Sequence, residues 1–287
     1  MTLENSLVLR DGRRLGFQSS GDPDGQPVFF FHGTPGSRRF LPPEAITRRL
    51  GVRLITSDRP GYGMSDFQPG RRLSDWPRDV NQIADHLGLT RFRICGHSGG
   101  GPHTLACAAL LPDRVVSAAT LSGAGPYDTP GATAGMVPLN RIGFVYGRYL
   151  PWPIWRLMIW ITHRQRQRDP EAAIDRDTTR PQADETLMRV AGIRDACVLS
   201  ETEAFRQGLR GMAWDAHLIV RPWDFRLEQI RLPVHVWHGT ADNSTPFAMA
   251  QYLVRSIPHA TLHVLENEAH LLFFPHWEEI LSTLIAE

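Results

Sequence analysis

The chain has 287 residues, enough for one large α/β domain with an inserted subdomain, and its hydrophobic content of 42% and charged content of 21% are ordinary for a globular protein. A formal net charge of +1 gives no electrostatic reason to expect a nucleic-acid partner. All 31 positions in the Lys+Arg count are arginine, so a pyridoxal Schiff base and a P-loop, which both need a lysine amine, are excluded.

The cysteines, the N-terminus and the most apolar stretch bear on the cellular compartment. Cys95, Cys107 and Cys197 are widely spaced and form no Cys-x-x-Cys pair, so neither a disulfide framework nor a metal site is predicted. The N-terminus lacks a basic segment followed by an apolar run, and the apolar stretch 152–162 is too short to span a bilayer. We therefore expect a cytoplasmic protein with no membrane span, metal or cofactor.

The N-terminal part of the chain predicts strands. Segments 6–10 and 14–19 flank Asp11-Gly12, which is a strong hairpin signal. The run 26–31 is continuously apolar, as in a strand that is buried on both faces of a sheet. It leads into the glycine- and proline-rich loop 32–37, and loops at the end of a central strand are where α/β sheets place their sites.

A second buried strand, 52–57, is followed by the irregular loop 58–63, which is rich in glycine and proline. We interpret Asp58 and Arg59 in this loop as structural, holding each other or the loop amides. A helix is predicted from about 74 to 87, because apolar residues recur there with helical spacing.

The strand 91–95 then runs into a Gly-x-Ser-x-Gly pattern centred on Ser98, and a helix of small residues follows at 102–111. This pattern is typical of a nucleophile elbow, a strained turn that lifts one serine hydroxyl clear of the sheet. Glycine is expected at positions 96 and 100, because a Cβ there would collide with the neighbouring strand and helix.

After a further strand at 115–121, the character of the sequence changes. From 127 to 231 strand-like runs disappear and apolar residues take helical spacing, which predicts a helical cap inserted into a core domain formed by 1–126 and 232–287. The inner face of such a cap lines a substrate pocket. Its aromatic residues Trp155 and Trp160 are our candidates for substrate contact, although internal packing is the commoner role.

Strand patterns resume at 233–237 and 261–265, and each is followed by a candidate catalytic residue. A serine hydroxyl is a poor nucleophile at neutral pH, so it needs a base to take its proton and an acid to orient that base. Asp242 and His270 each lie five residues beyond one of these strands, in the chain order serine, acid, histidine of elbow-type hydrolases. We therefore predict a triad of Ser98, Asp242 and His270.

Acyl transfer also needs two N–H donors that face the developing oxyanion. The backbone N–H of Gly99, at the start of the helix after the elbow, is one candidate. The other should come from the loop after the strand 26–31, most simply from Thr34.

Five motifs in this order resemble those of the α/β-hydrolase superfamily, in its serine-nucleophile branch with an inserted cap, the esterase and proline iminopeptidase-like subgroup. They are His32-Gly33, the loop Asp58-Arg59-Pro60-Gly61-Tyr62-Gly63, the elbow Gly96-His97-Ser98-Gly99-Gly100, the segment His238-Gly239-Thr240-Ala241-Asp242, and His270. The resemblance implies an α/β fold with a mostly parallel eight-stranded sheet, helices on both faces and a helical cap at 127–231.

The function expected from these residues is a serine hydrolase that cleaves a carboxylic ester, lactone or thioester of a small to medium, largely apolar small-molecule substrate, through an acyl-enzyme on Ser98. Epoxide hydrolases and haloalkane dehalogenases carry aspartate at the elbow, so Ser98 disfavours both. Proline iminopeptidases carry two glycines after the histidine of the oxyanion loop and an aromatic residue after the nucleophile, and Thr34 and Gly99 depart from both features.

The sequence leaves the acyl acceptor open, because a perhydrolase or an acyltransferase differs from a hydrolase only in that acceptor, and three further alternatives remain. One is a carbon–carbon bond hydrolase, which shares the Ser-x-Gly-Gly elbow. Another is an aminopeptidase, in which Glu201 and Glu203 would bind the free amine of the substrate. The third is a ligand-binding protein that keeps the pocket without the chemistry. Nothing in the sequence predicts the oligomeric state.

Overall fold

The computed structural model describes residues 3–287, apart from the side chains of residues 3, 4 and 139, and its centre is an eight-stranded sheet with the order β1-β2-β4-β3-β5-β6-β7-β8. The strands are β1 Leu3–Val8, β2 Arg14–Gly21, β3 Gln26–Phe31, β4 Val52–Ser57, β5 Phe92–His97, β6 Val115–Leu121, β7 Val234–Gly239 and β8 Ala260–Leu265. The first two strands run antiparallel to their neighbours, and β4, β3, β5, β6, β7 and β8 are parallel. The predicted mostly parallel sheet is confirmed.

Helices connect the strands and cover both faces of the sheet. They are α1 Glu44–Arg49, α2 Trp76–His86, α3 Gly100–Leu110, α4 Pro138–Gly147, α5 Trp152–Arg168, α6 Pro170–Asp175, α7 Gln182–Leu187, α8 Ile193–Ala204, α9 Arg210–Ile219, α10 Phe247–Ser256 and α11 Trp277–Ile285. Within the described residues, none of these helices is long and apolar enough to cross a membrane.

Strand β3 shows why the central strands are apolar without interruption. Successive side chains of a strand point to opposite faces, and here both faces are covered. Phe29 and Phe31 belong to the hydrophobic core on one side of the sheet, and Val28 and Phe30 belong to the core on the other side. A strand that must be buried on both faces has no position for a polar side chain.

The elbow depends on two glycines for the steric reason that the sequence suggested. Strand β5 ends at His97 and helix α3 begins at Gly100, so only two residues make the turn. A Cβ at Gly96 would overlap with the Thr104 side chain and the Gly100 carbonyl group, and a Cβ at Gly100 would overlap with the carbonyl oxygen of Phe31. Close packing of α3 against the sheet therefore fixes the place of the serine between them.

Between β6 and β7 the chain forms the helices α4 to α9 in the described residues. Part of this segment has its own core, in which Trp155 is fully buried and its indole N–H donates a hydrogen bond of 2.8 Å to the carbonyl oxygen of Ala213. The segment is also tied to the sheet loops, because Gln207 donates to the carbonyl oxygens of Gly63 and Ser65. The region is therefore helical in the described residues, and its role as a cap stays a prediction.

Candidate active site

Ser98 occupies the turn between β5 and α3 in the left-handed region, with φ of +54°. This conformation costs free energy in a residue with a side chain, and it persists only where the surroundings fix it. Here the Ser98 N–H donates to the Leu121 carbonyl oxygen at 3.0 Å, and the Ser98 carbonyl oxygen accepts from the N–H groups of Gly101 at 2.9 Å and Ala124 at 3.0 Å. The elbow backbone is therefore held by α3 and by the neighbouring strand β6 together with the loop that follows it.

A cavity of about 330 Å³ lies over Ser98. Its walls come from the loops after β3, β5, β7 and β8 and from the helical segment between β6 and β7. Core residues on the wall include Gly33, Thr34, Phe40, Ser98, Gly99 and His270, and residues from the helical segment include Phe144, Arg166, Asp184, Met188, Cys197, Glu201 and Ile219. The volume lies within the range of small-molecule sites in proteins.

The imidazole of His270 lies on this cavity wall and is held by Asp242 behind it. The Nδ1 atom of His270 is 2.8 Å from Oδ2 of Asp242. Because an ionised carboxylate can only accept hydrogen bonds, Nδ1 carries the proton and donates it, which leaves Nε2 of the neutral ring as the basic nitrogen. Asp242 is buried, and its other oxygen, Oδ1, accepts from the N–H groups of Ser244 and Thr245 at 2.8 and 2.9 Å.

The two partners shift each other's pKa in opposite directions. Burial alone would raise the pKa of Asp242, but the charge and the hydrogen bond of His270 hold it far below its ordinary value. Burial alone would lower the pKa of His270, but the charge and the hydrogen bond of Asp242, and to a smaller extent the charge of Asp184, raise it above its ordinary value. Asp242 is therefore charged across the physiological range, and the protonated form of His270 is favoured relative to a free histidine.

His97, which precedes the serine, supports the loop after β8 that carries His270, which we call the histidine loop. Its Nε2 atom is 3.0 Å from the carbonyl oxygen of His270, so Nε2 carries a proton and donates it. The two rings lie 4.7 Å apart between centroids, and burial together with the charge of His270 lowers the pKa of His97 to about 3. The ring is therefore neutral, and it acts as a hydrogen-bond donor to the backbone of His270.

The loop after β3 is shaped by the guanidinium group of Arg59. Arg59 donates to the carbonyl oxygens of His32 and Gly33, the latter at 2.8 Å, and to Oγ1 of Thr34 at 3.1 Å. The peptide between Gly33 and Thr34 is trans, so its N–H points away from its C=O. With the carbonyl group turned to Arg59, the N–H of Thr34 is directed to the opposite side of the loop.

Arg59 is held in turn by Asp215 of helix α9. Its Nε atom donates to Oδ2 of Asp215 at 2.7 Å, Arg71 pairs with the other carboxylate oxygen, and His103 lies 3.7 Å away. All four side chains are buried. Burial alone would raise the pKa of Asp215, but the charges of Arg59 and Arg71 hold it far below its ordinary value. The helical segment thus contributes the anion that fixes the loop after β3.

Asp58 and Arg59 do not hold each other, but Asp58 does hold loop amides, which was the other part of our interpretation. Asp58 accepts from the backbone N–H and the guanidinium group of Arg38 and from the backbone N–H of Met64. Both residues organise loops, as expected: Asp58 binds its own loop and Arg38, and Arg59 binds the loop after β3.

Thr34 and Gly99 are in contact, which explains why both depart from the proline iminopeptidase pattern together. A Cβ at Gly99 would overlap with Oγ1 and Cβ of Thr34 and crowd Ile219. A larger residue after the nucleophile therefore requires a smaller one at position 34.

Neither tryptophan candidate lines the cavity, so the expectation of substrate contact is wrong for both. Trp155 is enclosed in the core of the helical segment, where its indole N–H is bonded to Ala213. Trp160 is 47% exposed, with the guanidinium group of Arg164 over its ring. Helical periodicity alone did not distinguish the cavity-facing side of α5 from its other sides.

The cavity wall is more polar than the sequence suggested. Arg166 of α5 and Glu201 of α8 form a bidentate pair there, with Nε 2.7 Å from Oε2 and Nη2 bonded to Oε1. Glu201 is buried and not on a solvated helix face. Glu203, the other candidate carboxylate, pairs with Arg38 at 2.6 Å.

The comparisons with known proteins agree with this architecture. A family model described as alpha/beta hydrolase fold matches residues 26–142. A non-heme chloroperoxidase of Streptomyces lividans is 28% identical over 295 residues, covering 98% of this chain and 98% of that protein. A putative non-heme haloperoxidase of Mycobacterium phage D29 is 34% identical over 122 residues, which is 42% of this chain and 43% of that protein.

Among solved structures, the esterase RhEst1 from Rhodococcus sp. ECU1013 superposes with a TM-score of 0.70 at 21% identity, covering 99% of this chain and 98% of that one. The chain spans less than half of the length of several curated relatives that it matches, proline iminopeptidases among them. The chain has the α/β-hydrolase fold.

Proposed function

We propose that this protein is a serine hydrolase that cleaves a carboxylic ester through an acyl-enzyme on Ser98, with His270 as the base and Asp242 as the orienting acid. One observation carries the proposal. The strained serine at the elbow and a histidine whose Nδ1 is bonded to a buried aspartate lie on the wall of one cavity. This is the combination that activates a hydroxyl group for acyl transfer.

In this mechanism Oγ of Ser98 attacks the ester carbonyl carbon while Nε2 of His270 takes its proton. The resulting imidazolium, stabilised by Asp242, gives that proton to the leaving alcohol as the tetrahedral intermediate collapses. Water then attacks the acyl-enzyme with His270 again as base, and the acid product leaves as the serine is regenerated.

The oxyanion is assigned to the backbone N–H groups of Thr34 and Gly99. The Thr34 N–H points away from Arg59, as the hydrogen bond of the Gly33 carbonyl group requires, and Gly99 is the N-cap residue of α3, directly after the nucleophile. The first N–H groups of a helix have no partner within the helix and carry partial positive charge. Two such donors contribute several kcal/mol to transition-state stabilisation, about 3 kcal/mol each.

Residues 127–231 are assigned to a cap over the cavity, and the cap sets the substrate. A cavity of about 330 Å³ suits a small or medium ester. Phe144, Met188 and Ile219 offer apolar contact, whereas Arg166 adds a polar group on the same wall. We therefore assign a substrate that is apolar in part and carries an oxygen acceptor that Arg166 binds.

The pairing of the cap glutamates favours the esterase over the aminopeptidase. A free substrate amine needs an uncompensated carboxylate. Glu201 is neutralised by Arg166 and Glu203 by Arg38, so neither offers one.

The test is the turnover of p-nitrophenyl butyrate by the wild type, by Ser98→Ala and by Ser282→Ala, an exposed serine on α11 that serves as control. We expect kcat to fall at least 1000-fold in Ser98→Ala, because the base then has no hydroxyl group to activate. In Ser282→Ala we expect kcat to be unchanged. A fluorophosphonate probe should label the wild type and the Ser282 variant, and leave the Ser98 variant unlabelled. Full activity of Ser98→Ala would overturn the assignment, and a folded wild type that is neither active nor labelled would favour a ligand-binding protein.

A further inference from the structure

We infer that Asp184, on helix α7 of the cap, is a positioning residue for the base His270, an inference that rests on the proposed function. The side chain of Asp184 reaches out of the helical segment and binds the backbone of the histidine loop. Its Oδ2 atom accepts from the N–H of His270 at 3.1 Å, and its Oδ1 atom accepts from the N–H of Leu271 at 2.8 Å. One carboxylate therefore fixes two successive peptide groups.

These bonds complete the fixation of His270. Its imidazole is held by Asp242 and its carbonyl oxygen is held by His97, both of which belong to the core. Its N–H is held by Asp184, 86 residues earlier in the chain. The position of the base therefore depends on the contact between helix α7 of the cap and the histidine loop. The carboxylate is buried at 3% exposure, which makes both bonds strong and their loss costly.

The charge of Asp184 has a second consequence. Four titratable groups face His270: Asp242 from the loop after β7, Asp184 from α7, His97 from the elbow and His238 from the end of β7. Burial lowers the pKa values of His97 and His238, so both rings are neutral, and the charges near His270 are the two carboxylates. Asp184 therefore stabilises the imidazolium that forms when His270 takes the serine proton.

Burial raises the pKa of Asp184, against the opposing effects of the His270 charge and the two N–H donors. Its nearest hydrogen-bond partners in the described residues are these amides and no arginine. The carboxylate of Asp184 therefore contacts the histidine loop and forms no ion pair with an arginine in the described residues.

The experiment compares Asp184→Asn, Asp184→Ala and Asp184→Glu with the control Asp195→Asn, an exposed position on α8. Asparagine keeps one acceptor and removes the charge, so we expect the acid limb of kcat/KM for p-nitrophenyl butyrate to move to lower pH by half a unit to one unit. Alanine also removes the acceptor, and we expect kcat to fall about 10- to 100-fold with KM changed less than threefold. Glutamate should retain the acid limb of the wild type, as should the Asp195 variant.

The titration of the His270 imidazole by NMR gives a readout that does not depend on ester turnover. The pKa of His270 should fall in Asp184→Asn and should equal the wild-type value in Asp195→Asn. If Asp184→Asn unfolds more easily but both its acid limb and its His270 titration match the wild type, Asp184 is a structural residue only and the inference is overturned. Failure of the proposed function is distinct, because it shows as an inactive wild type or an active Ser98→Ala, whatever the Asp184 variants do.

Discussion

At the scale of single residues, the polar groups around the site are defined by partners far away in the chain. Arg59 shows this most clearly, because its side chain is surrounded by the carbonyl oxygens of His32 and Gly33, by Thr34 and by Asp215. A planar guanidinium can donate in several fixed directions at once, whereas a lysine amine cannot. Arg59 is therefore suited to holding the peptide group between Gly33 and Thr34 in one orientation.

For Arg59→Lys we expect kcat for p-nitrophenyl butyrate to fall about 10- to 100-fold with little change in KM, because a small misplacement of an oxyanion donor affects the transition state more than ground-state binding. Lysine keeps the charge beside Asp215, so folding is disturbed less than by a neutral residue. Rates should be normalised to the fraction of protein that the fluorophosphonate labels. Arg91→Lys, at an exposed position, is the matched control. An unchanged kcat in Arg59→Lys would show that the loop does not need this clamp.

At the scale of elements, helices α5 and α8 bring one charged pair to the cavity wall. Arg166 uses Nε and Nη2 for Glu201, and the side chain still keeps about a third of its surface accessible. Neither hydrogen bond to Glu201 uses Nη1, so we expect this amino group to be the donor to a substrate oxygen. The strength of that interaction depends on Glu201, which offsets the positive charge.

We expect Glu201→Gln to raise kcat/KM for an ester with an acidic tail, p-nitrophenyl hydrogen glutarate, about 5- to 10-fold relative to the neutral p-nitrophenyl valerate, because the guanidinium then lacks its negative partner. Arg166→Met should lower the same ratio. Arg156→Met, at an exposed position on the same helix, serves as control. Equal effects on both substrates would place Arg166 outside the substrate-binding surface.

At the scale of the whole molecule, the fold was predictable from local patterns, and much of the site's surroundings was not. A buried strand shows itself as a continuous apolar run, and the tight turn at Ser98 shows itself by the glycines on either side of it. Both signals lie within a few neighbouring residues, so the sheet and the turn could be predicted from the sequence. The order of Ser98, Asp242 and His270 along parallel strands was enough to single them out.

What the sequence lacked was the pairing of distant elements. Asp184 and Asp215 lie on cap helices and look like ordinary helical surface acids until tertiary contacts bury them against His270 and Arg59. Trp155 misled for the converse reason, because an aromatic residue on an amphipathic helix packs equally well into a core or a cavity. The acids at positions 184 and 215 are therefore residues for which the sequence carried no local signal.

The buried histidines predict how stability depends on pH. Burial together with neighbouring charge lowers the pKa values of His97 and His103 to about 3, from about 6.5 in an unfolded chain. Between these values the unfolded state binds protons that the folded state does not, so the free energy of unfolding falls as the pH falls. The cost of each histidine approaches about 1.4 kcal/mol per pH unit well below pH 6.5 and amounts to about 1.6 kcal/mol between pH 6.5 and pH 5. The pKa of His270 is raised in the folded state, so this residue stabilises the fold as the pH falls. That stabilisation is reached by the pKa of the unfolded chain, so it adds little to the slope between pH 6.5 and pH 5.

Urea unfolding at pH 8, 6.5 and 5 measures this dependence. We expect His97 and His103 together to cost the wild type about 3 kcal/mol of unfolding free energy between pH 6.5 and pH 5. In His103→Gln the loss should be smaller by about 1.6 kcal/mol, because glutamine does not titrate, even if the variant is less stable at every pH. His259→Gln, at an exposed position, should keep the slope of the wild type. A slope in His103→Gln equal to that of the wild type would mean that His103 is protonated within the folded protein, and that the Asp215 cluster holds a charged imidazole in place of a neutral one.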